Sequence, residues 1–155
     1  MRLAGLSVLL LSGACARQPD VRAGRFQVRM EGAAGETFSG TARFCPGGRG
    51  GTVSLLSDDQ RFGLALHGMQ FAMGSAPVTD VQEFDPEQPR TVAVDLFVPG
   101  GEPYVTGGSL RITAADSASV RGTFRISTRP ATGVAAASAP SLEGSFSAPK
   151  ANDCG

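Results

Sequence analysis

The sequence predicts an all-β fold, a single-domain antiparallel β-sandwich or small β-barrel of about eight strands. Three observations predict it. From Arg25 onward apolar residues recur at every second position, the period of a half-buried strand. Turn residues bound these runs: the 155 residues include 21 glycines and 10 prolines, about a fifth of the chain against a usual share of roughly an eighth. No stretch carries the apolar spacing of an amphipathic helix.

The elements follow in order. Arg25–Gly32 sets Phe26, Val28 and Met30 on one face and Gln27, Arg29 and Glu31 on the other. After a turn, Thr37–Cys45 places Phe38, Gly40, Ala42 and Phe44 together, and the run Pro46–Gly51 breaks the pattern. Thr52–Ser57 turns Val53 and Leu55 inward, and Arg61–Gly68 does the same with Phe62, Leu64 and Leu66. These segments read as a meander. Met69–Arg90 is the least regular stretch, with Pro77, Pro86 and Pro89, and Thr79–Gln82 reads as the cap of one helical turn. Arg90–Val98 alternates again through Val92, Val94 and Leu96. Gly108–Ala114 follows with Leu110 and Ile112, then Val120–Ser127 with Val120, Gly122, Phe124 and Ile126. A long Ala/Pro/Ser loop over Thr128–Ser141, with a weak strand near Val134, leads to Leu142–Ala148, where Leu142, Gly144 and Phe146 face inward. The segments Val120–Phe124 and Leu142–Phe146 echo each other: an apolar residue, an inward glycine, then a phenylalanine. Glycine on an inward face marks a bend or leaves room for a neighbouring ring.

The N-terminus is read apart from the fold. Arg2 precedes the apolar run Leu3–Leu11, and small residues follow to Ala16, the layout of a bacterial export signal. Leu11-Ser12-Gly13-Ala14-Cys15 resembles a lipoprotein signal, which would make Cys15 the lipidated first residue of the mature chain. Ala14-Cys15-Ala16 is the competing cleavage site and would release a soluble chain from Arg17. The organisation expected is a signal over 1–14, a lipidated Cys15 and tether over 15–24, and the β domain over 25–155. Cys45 and Cys154 then remain, and two thiols in an oxidising compartment suggest one disulfide. It would close a loop of 109 residues.

Several function classes are excluded or disfavoured by the same residues. Lys and Arg (14) balance Asp and Glu (14), against the clustered basic surface that a nucleic-acid protein needs. No apolar run reaches the length of a membrane-spanning helix. Strands of this length, with Arg and Glu on their non-core faces and only 6% aromatic residues, do not suit a lipid-facing barrel. His67 is the single histidine and lies opposite the core face of its strand, without the partner that catalysis requires. No nucleophile-elbow motif occurs, and the glycine-rich run Pro46–Gly51 lacks the ending of a phosphate loop. No catalytic residue, metal ligand or cofactor is therefore assigned. Asp80, Glu83, Asp85 and Glu87 put four carboxylates within eight residues, the one candidate for an ion or partner contact. Arg111, Arg121 and Arg125, with Glu143 nearby, read as a mixed charged stripe on one sheet face. In a closed barrel with a polar interior the same residues would line a cavity.

The segments Gly108–Thr113, Val120–Phe124 and Glu143–Phe146 together resemble the C-terminal half of many uncharacterised bacterial all-β lipoproteins, some described as calycin-like or lipocalin-like. The resemblance spans about the last fifty residues and implies a β fold and an envelope location. The function expected is a lipid-anchored, non-enzymatic β domain of the bacterial cell envelope, a binding or structural module held in the outer membrane and facing the periplasm. Its partners would be the membrane, through the anchor, and an envelope protein. The alternatives are a calycin-like carrier of a small apolar or amphipathic ligand, and a soluble periplasmic or secreted location.

Overall fold

The computed structural model describes residues 20–32, 35–47, 50–68, 70–85, 87–88, 90–98, 103–129 and 140–154. Nine strands form one closed barrel: β1 (Arg25–Glu31), β2 (Thr37–Gly47), β3 (Gly50–Ser57), β4 (Gly63–Gly68), β5 (Gly74–Asp80), β6 (Val92–Phe97), β7 (Tyr104–Ala115), β8 (Ser119–Arg129) and β9 (Ser141–Pro149). The fold is thus a barrel and not a sandwich. The order around the wall is β1-β2-β3-β4-β6-β5-β7-β8-β9, and β9 pairs back on β1.

The count exceeds the expected eight by β5, inside the stretch read as irregular. Pro77 obscured it. Proline cannot donate to a ladder and reads as a break. Here Pro77 lies opposite Ser109 of β7, while β6 pairs only with Val78–Asp80, so Pro77 has a strand on one side alone. The expected helical turn is a 3-10 turn over Val81–Glu83, capped by Asp80 rather than Thr79. An antiparallel wall closes on itself only with an even number of strands. Nine strands therefore require one parallel pair, and β5 with β6 supplies it.

The inward faces form one apolar core. Phe26, Val28, Phe38, Val53, Leu55, Phe62, Leu66, Val94, Leu110, Ile126, Leu142 and Phe146 are each at most 4% exposed. Full burial of such a side chain stabilises by about 1.5–3 kcal/mol. The Phe62 ring stacks on Phe38 at 5.2 Å and tilts against Phe26 at 5.7 Å. The echoed segments meet in register: Gly122 of β8 lies opposite Phe146 of β9, and Phe124 lies opposite Gly144. A Cβ on Gly144 would sit 2.6 Å from Phe124 Cζ, and one on Gly122 would sit 3.1 Å from Phe146 Cζ. Each glycine is the seat of the other strand's ring, an aromatic rescue of glycine in a sheet. The sequence echo is this reciprocal packing.

The two rims differ. The ends of β1, β3 and β8 and the starts of β2, β4 and β9 lie at one rim. The opposite rim carries the ends of β2 and β7, the starts of β3 and β8, and both ends of the described chain. There Lys150 N donates to Ala118 O at 2.7 Å and Ala151 N to Phe44 O at 2.8 Å, which lays the C-terminal segment across the rim. Cys154 then reaches Cys45 of β2 and forms the disulfide, with a Cα–Cα distance of 5.5 Å.

Candidate functional site

A groove of about 460 Å³ opens beside the disulfide. Its walls are Cys45–Gly47 at the end of β2, Gly50–Thr52 at the start of β3, His67 and Gly68 at the end of β4, with Phe84 and Cys154. Glycine at position 51 is required by the core behind it, since a Cβ there would lie 2.8 Å from Phe44 Cε2. Thr52 and His67 are register partners, and Thr52 Oγ1 lies 3.0 Å from His67 Nδ1. A hydroxyl–imidazole contact is one element of nucleophilic catalysis, but the imidazole also needs a group that orients it. Among the described residues no carboxylate bonds to His67, and no three metal-ligating side chains gather anywhere. The groove offers a ring, a disulfide and hydrogen-bonding side chains to a bound group.

The four carboxylates singled out in the sequence are not brought together. Asp80, 6% exposed, accepts Gln82 N–H through Oδ1 at 2.9 Å and Val105 N–H through Oδ2 at 3.0 Å, tying the end of β5 to β7. Glu83 accepts the Tyr104 hydroxyl, and the Arg129 guanidinium lies 4.3 Å above the Tyr104 ring. Asp85 accepts Glu87 N–H at 2.9 Å and the Gln88 amide at 3.2 Å, while Glu87 stands in solvent. Asp80 and Asp85 thus organise their own backbone, and Glu83, Asp85 and Glu87 present an exposed acidic segment. A second groove, about 180 Å³, runs beneath it between Asp80, Gln82, Asp95 and Tyr104. The local spacing could not reveal Asp95 or Tyr104 as its neighbours, because barrel register brings them there.

The arginine stripe faces outward, so the reading in which it lines an interior cavity is overturned: the alternate faces of the same strands fill the barrel with apolar side chains. Arg125 donates to Glu143 at 3.1 Å across the β8–β9 pair. Arg111 lies between Ser75 of β5 and Thr123 of β8, and a groove of about 210 Å³ runs along these residues. On β1, Arg25 holds Asp58 through two hydrogen bonds of 2.6 and 3.0 Å, which keep the Asp58 carboxyl below its ordinary range and raise the guanidinium. Asp59 is lowered by the Ser57 hydroxyl and the Arg61 N–H, and Asp116 by the Ala118 and Ser119 amides of the β7–β8 turn.

Cys15, the residues preceding Asp20, Arg49 in the glycine-rich run, and the weak strand expected near Val134 lie outside the described residues. No family model, curated protein or solved structure matches the chain.

Proposed function

We propose that the chain is a lipid-anchored, non-enzymatic β domain of the bacterial cell envelope that binds a partner through its outer surface. The observation that carries this reading is the packing of the interior. The inward positions hold one contiguous apolar cluster. Among the inward glycines, whose missing side chains leave the space a carrier would use, Gly122 and Gly144 seat the Phe146 and Phe124 rings. Gly40 lies against the backbone of β3, where a Cβ would stand 2.1 Å from Leu56 O. Recognition then falls to the outside of the barrel, to the exposed segment of Glu83, Asp85 and Glu87 and the grooves beside it.

The envelope location rests on the N-terminal sequence and on the Cys45–Cys154 disulfide, which suits an oxidising compartment. The anchor rests on Cys15 at the end of the signal. Native mass spectrometry of the chain purified from its own envelope, repeated after denaturation, tests the reading. The expected result is a bare polypeptide with acyl mass on Cys15 and two hydrogens fewer for the disulfide. A mass excess lost on denaturation would make the protein a carrier of that ligand. A chain that starts at Arg17 without lipid would be a soluble exported protein.

A further inference from the structure

The net charge is zero, yet the barrel sorts its charges by strand. The adjacent strands β7, β8, β9 and β1 carry Arg25, Arg29, Arg111, Arg121, Arg125 and Arg129 against Glu31 and Glu143. The other strands carry Arg43 against Asp80 and Asp95. Two arginines of the first group are neutralised, Arg25 by Asp58 and Arg125 by Glu143. Arg29, Arg111 and Arg121 are exposed and make no ion pair among the described residues. Barrel closure spreads them over one face. Arg29 lies opposite Glu143, which lies opposite Arg125. Arg121 and Arg25 flank Ser147, and Arg111 follows one strand on, opposite Thr123. Between them Ser145 and Ser147 are nearly covered, at 6% and 2% exposure. The acidic side is β6 with Asp95. In the order around the wall β6 stands four strands from β9 one way and five the other, across the barrel.

We propose that this arginine face lies against the anionic headgroups of the membrane that holds the anchor, an inference that rests on the anchored reading above. Three features favour lipid over an acidic protein as the occupant. The face is guanidinium-rich and has no apolar centre of the kind a protein interface buries. Its first residue, Arg25, follows Cys15 by ten positions, so the chain between them spans at most about 35 Å. An anchor that short confines the barrel near the surface at high effective concentration, and phosphate charge then acts on it within a Debye length of about 10 Å. Docked in this way, the barrel turns Asp95 of β6 toward the periplasm, away from like charge.

Co-sedimentation with vesicles tests the proposal, using the chain from Arg17 to Gly155, which holds the whole closed barrel and its disulfide. Vesicles of phosphatidylcholine with phosphatidylglycerol are compared with phosphatidylcholine alone. Selective, salt-sensitive binding to the anionic vesicles is expected. The combined variant Arg29→Gln, Arg111→Gln and Arg121→Gln should lose about fivefold per arginine, roughly a hundredfold in all. Arg90→Gln, on the acidic side, should bind as the parent does. Disulfide formation and the urea midpoint of each variant verify the fold. Equal binding to both vesicles, or a triple variant that binds like the parent, overturns the proposal. Retention on an acidic protein without vesicle binding also overturns it and makes the face a protein site. Lipid on Cys15 is read separately by mass, so a missing anchor is distinguishable from a face that ignores lipid.

Discussion

Gly144→Ala tests the reciprocal packing of β8 and β9. The added Cβ would stand 2.6 Å from Phe124 Cζ, 3.0 Å from Phe124 Cε1 and 2.8 Å from Gln27 O. Carbon atoms at rest lie about 3.5–4.0 Å apart, so the ring must retreat by about 1 Å. Phe124 is only 3% exposed, and its ring also packs against Phe146 at 6.5 Å, so there is little room for that retreat. Overpacking of this kind costs about 1–3 kcal/mol. Alanine also restricts the unfolded chain, which returns about 0.4–1 kcal/mol. The net expectation is a loss of about 1–2 kcal/mol. Gly63→Ala is the control. Its Cβ would meet Phe97 Cβ at 3.8 Å, an ordinary contact, so only the gain of about 0.4–1 kcal/mol remains. Urea unfolding followed by far-ultraviolet circular dichroism, with the disulfide intact, measures both, and the two variants should shift the midpoint in opposite directions. Phe124→Leu removes the obstructing Cζ. The double variant Gly144→Ala with Phe124→Leu should therefore cost less than the sum of its parts. A Gly144→Ala chain as stable as the parent, or strict additivity in the double variant, would refute the packing account.

Reduction of the disulfide, or Cys154→Ser, releases a 109-residue loop and should lower stability by about 4–5 kcal/mol, visible as a large fall in the urea midpoint. An unchanged midpoint would mean that the rim is held by the strands alone. Ser57→Ala should cost about 1–3 kcal/mol by the same assay, because the Ser57 hydroxyl accepts the buried Phe62 N–H at 2.9 Å. Asp80→Ala should cost a similar amount, since it strands the Val105 N–H, and Asp80→Ser should recover little because its oxygen is shorter in reach. Asp58, Asp59 and Asp116 titrate below the ordinary carboxylate range when folded. Their contribution is therefore complete above that range and lost as pH falls through the depressed values. Acid titration of the unfolding midpoint should show the loss below about pH 4, and Asp116→Asn should make it shallower.

Period two made nearly all of the core legible in the sequence. Every large residue assigned to an inward face is buried except Met30, which is partly buried against the cluster at the end of β1. The disulfide was legible because only Cys45 and Cys154 lie within the β-patterned part of the sequence. What escaped was whatever depends on which strand lies beside which. Thr52 becomes the partner of His67 only through the β3–β4 register, and Tyr104 becomes the partner of Glu83 only once β7 passes β5. The groove beside the disulfide joins β2, β3 and β4 to Phe84 and Cys154, which no local pattern connects. The direction of the arginines was ambiguous for the same reason: alternation separates two faces without saying which one is enclosed. β5 was hidden by Gly74 at its start and by Pro77, which a strand tolerates only where a neighbour is missing.

The parallel pair also says how the wall is composed. Without β5, strands β4 and β6 would still pair antiparallel, and β6 and β7 would run in opposite directions as chain neighbours. The remaining eight would then follow one another round the circle in strict chain order, the up-and-down plan of small barrels. The stretch from Gln70 to Arg90 is in this sense a wedge let into a complete ring. Eight strands already give an interior that side chains can just fill, and girth grows with every strand added. The wedge enlarges the enclosure, and the Phe26, Phe38 and Phe62 rings occupy the width of it. A larger ring with large tenants is a route to volume without vacancy.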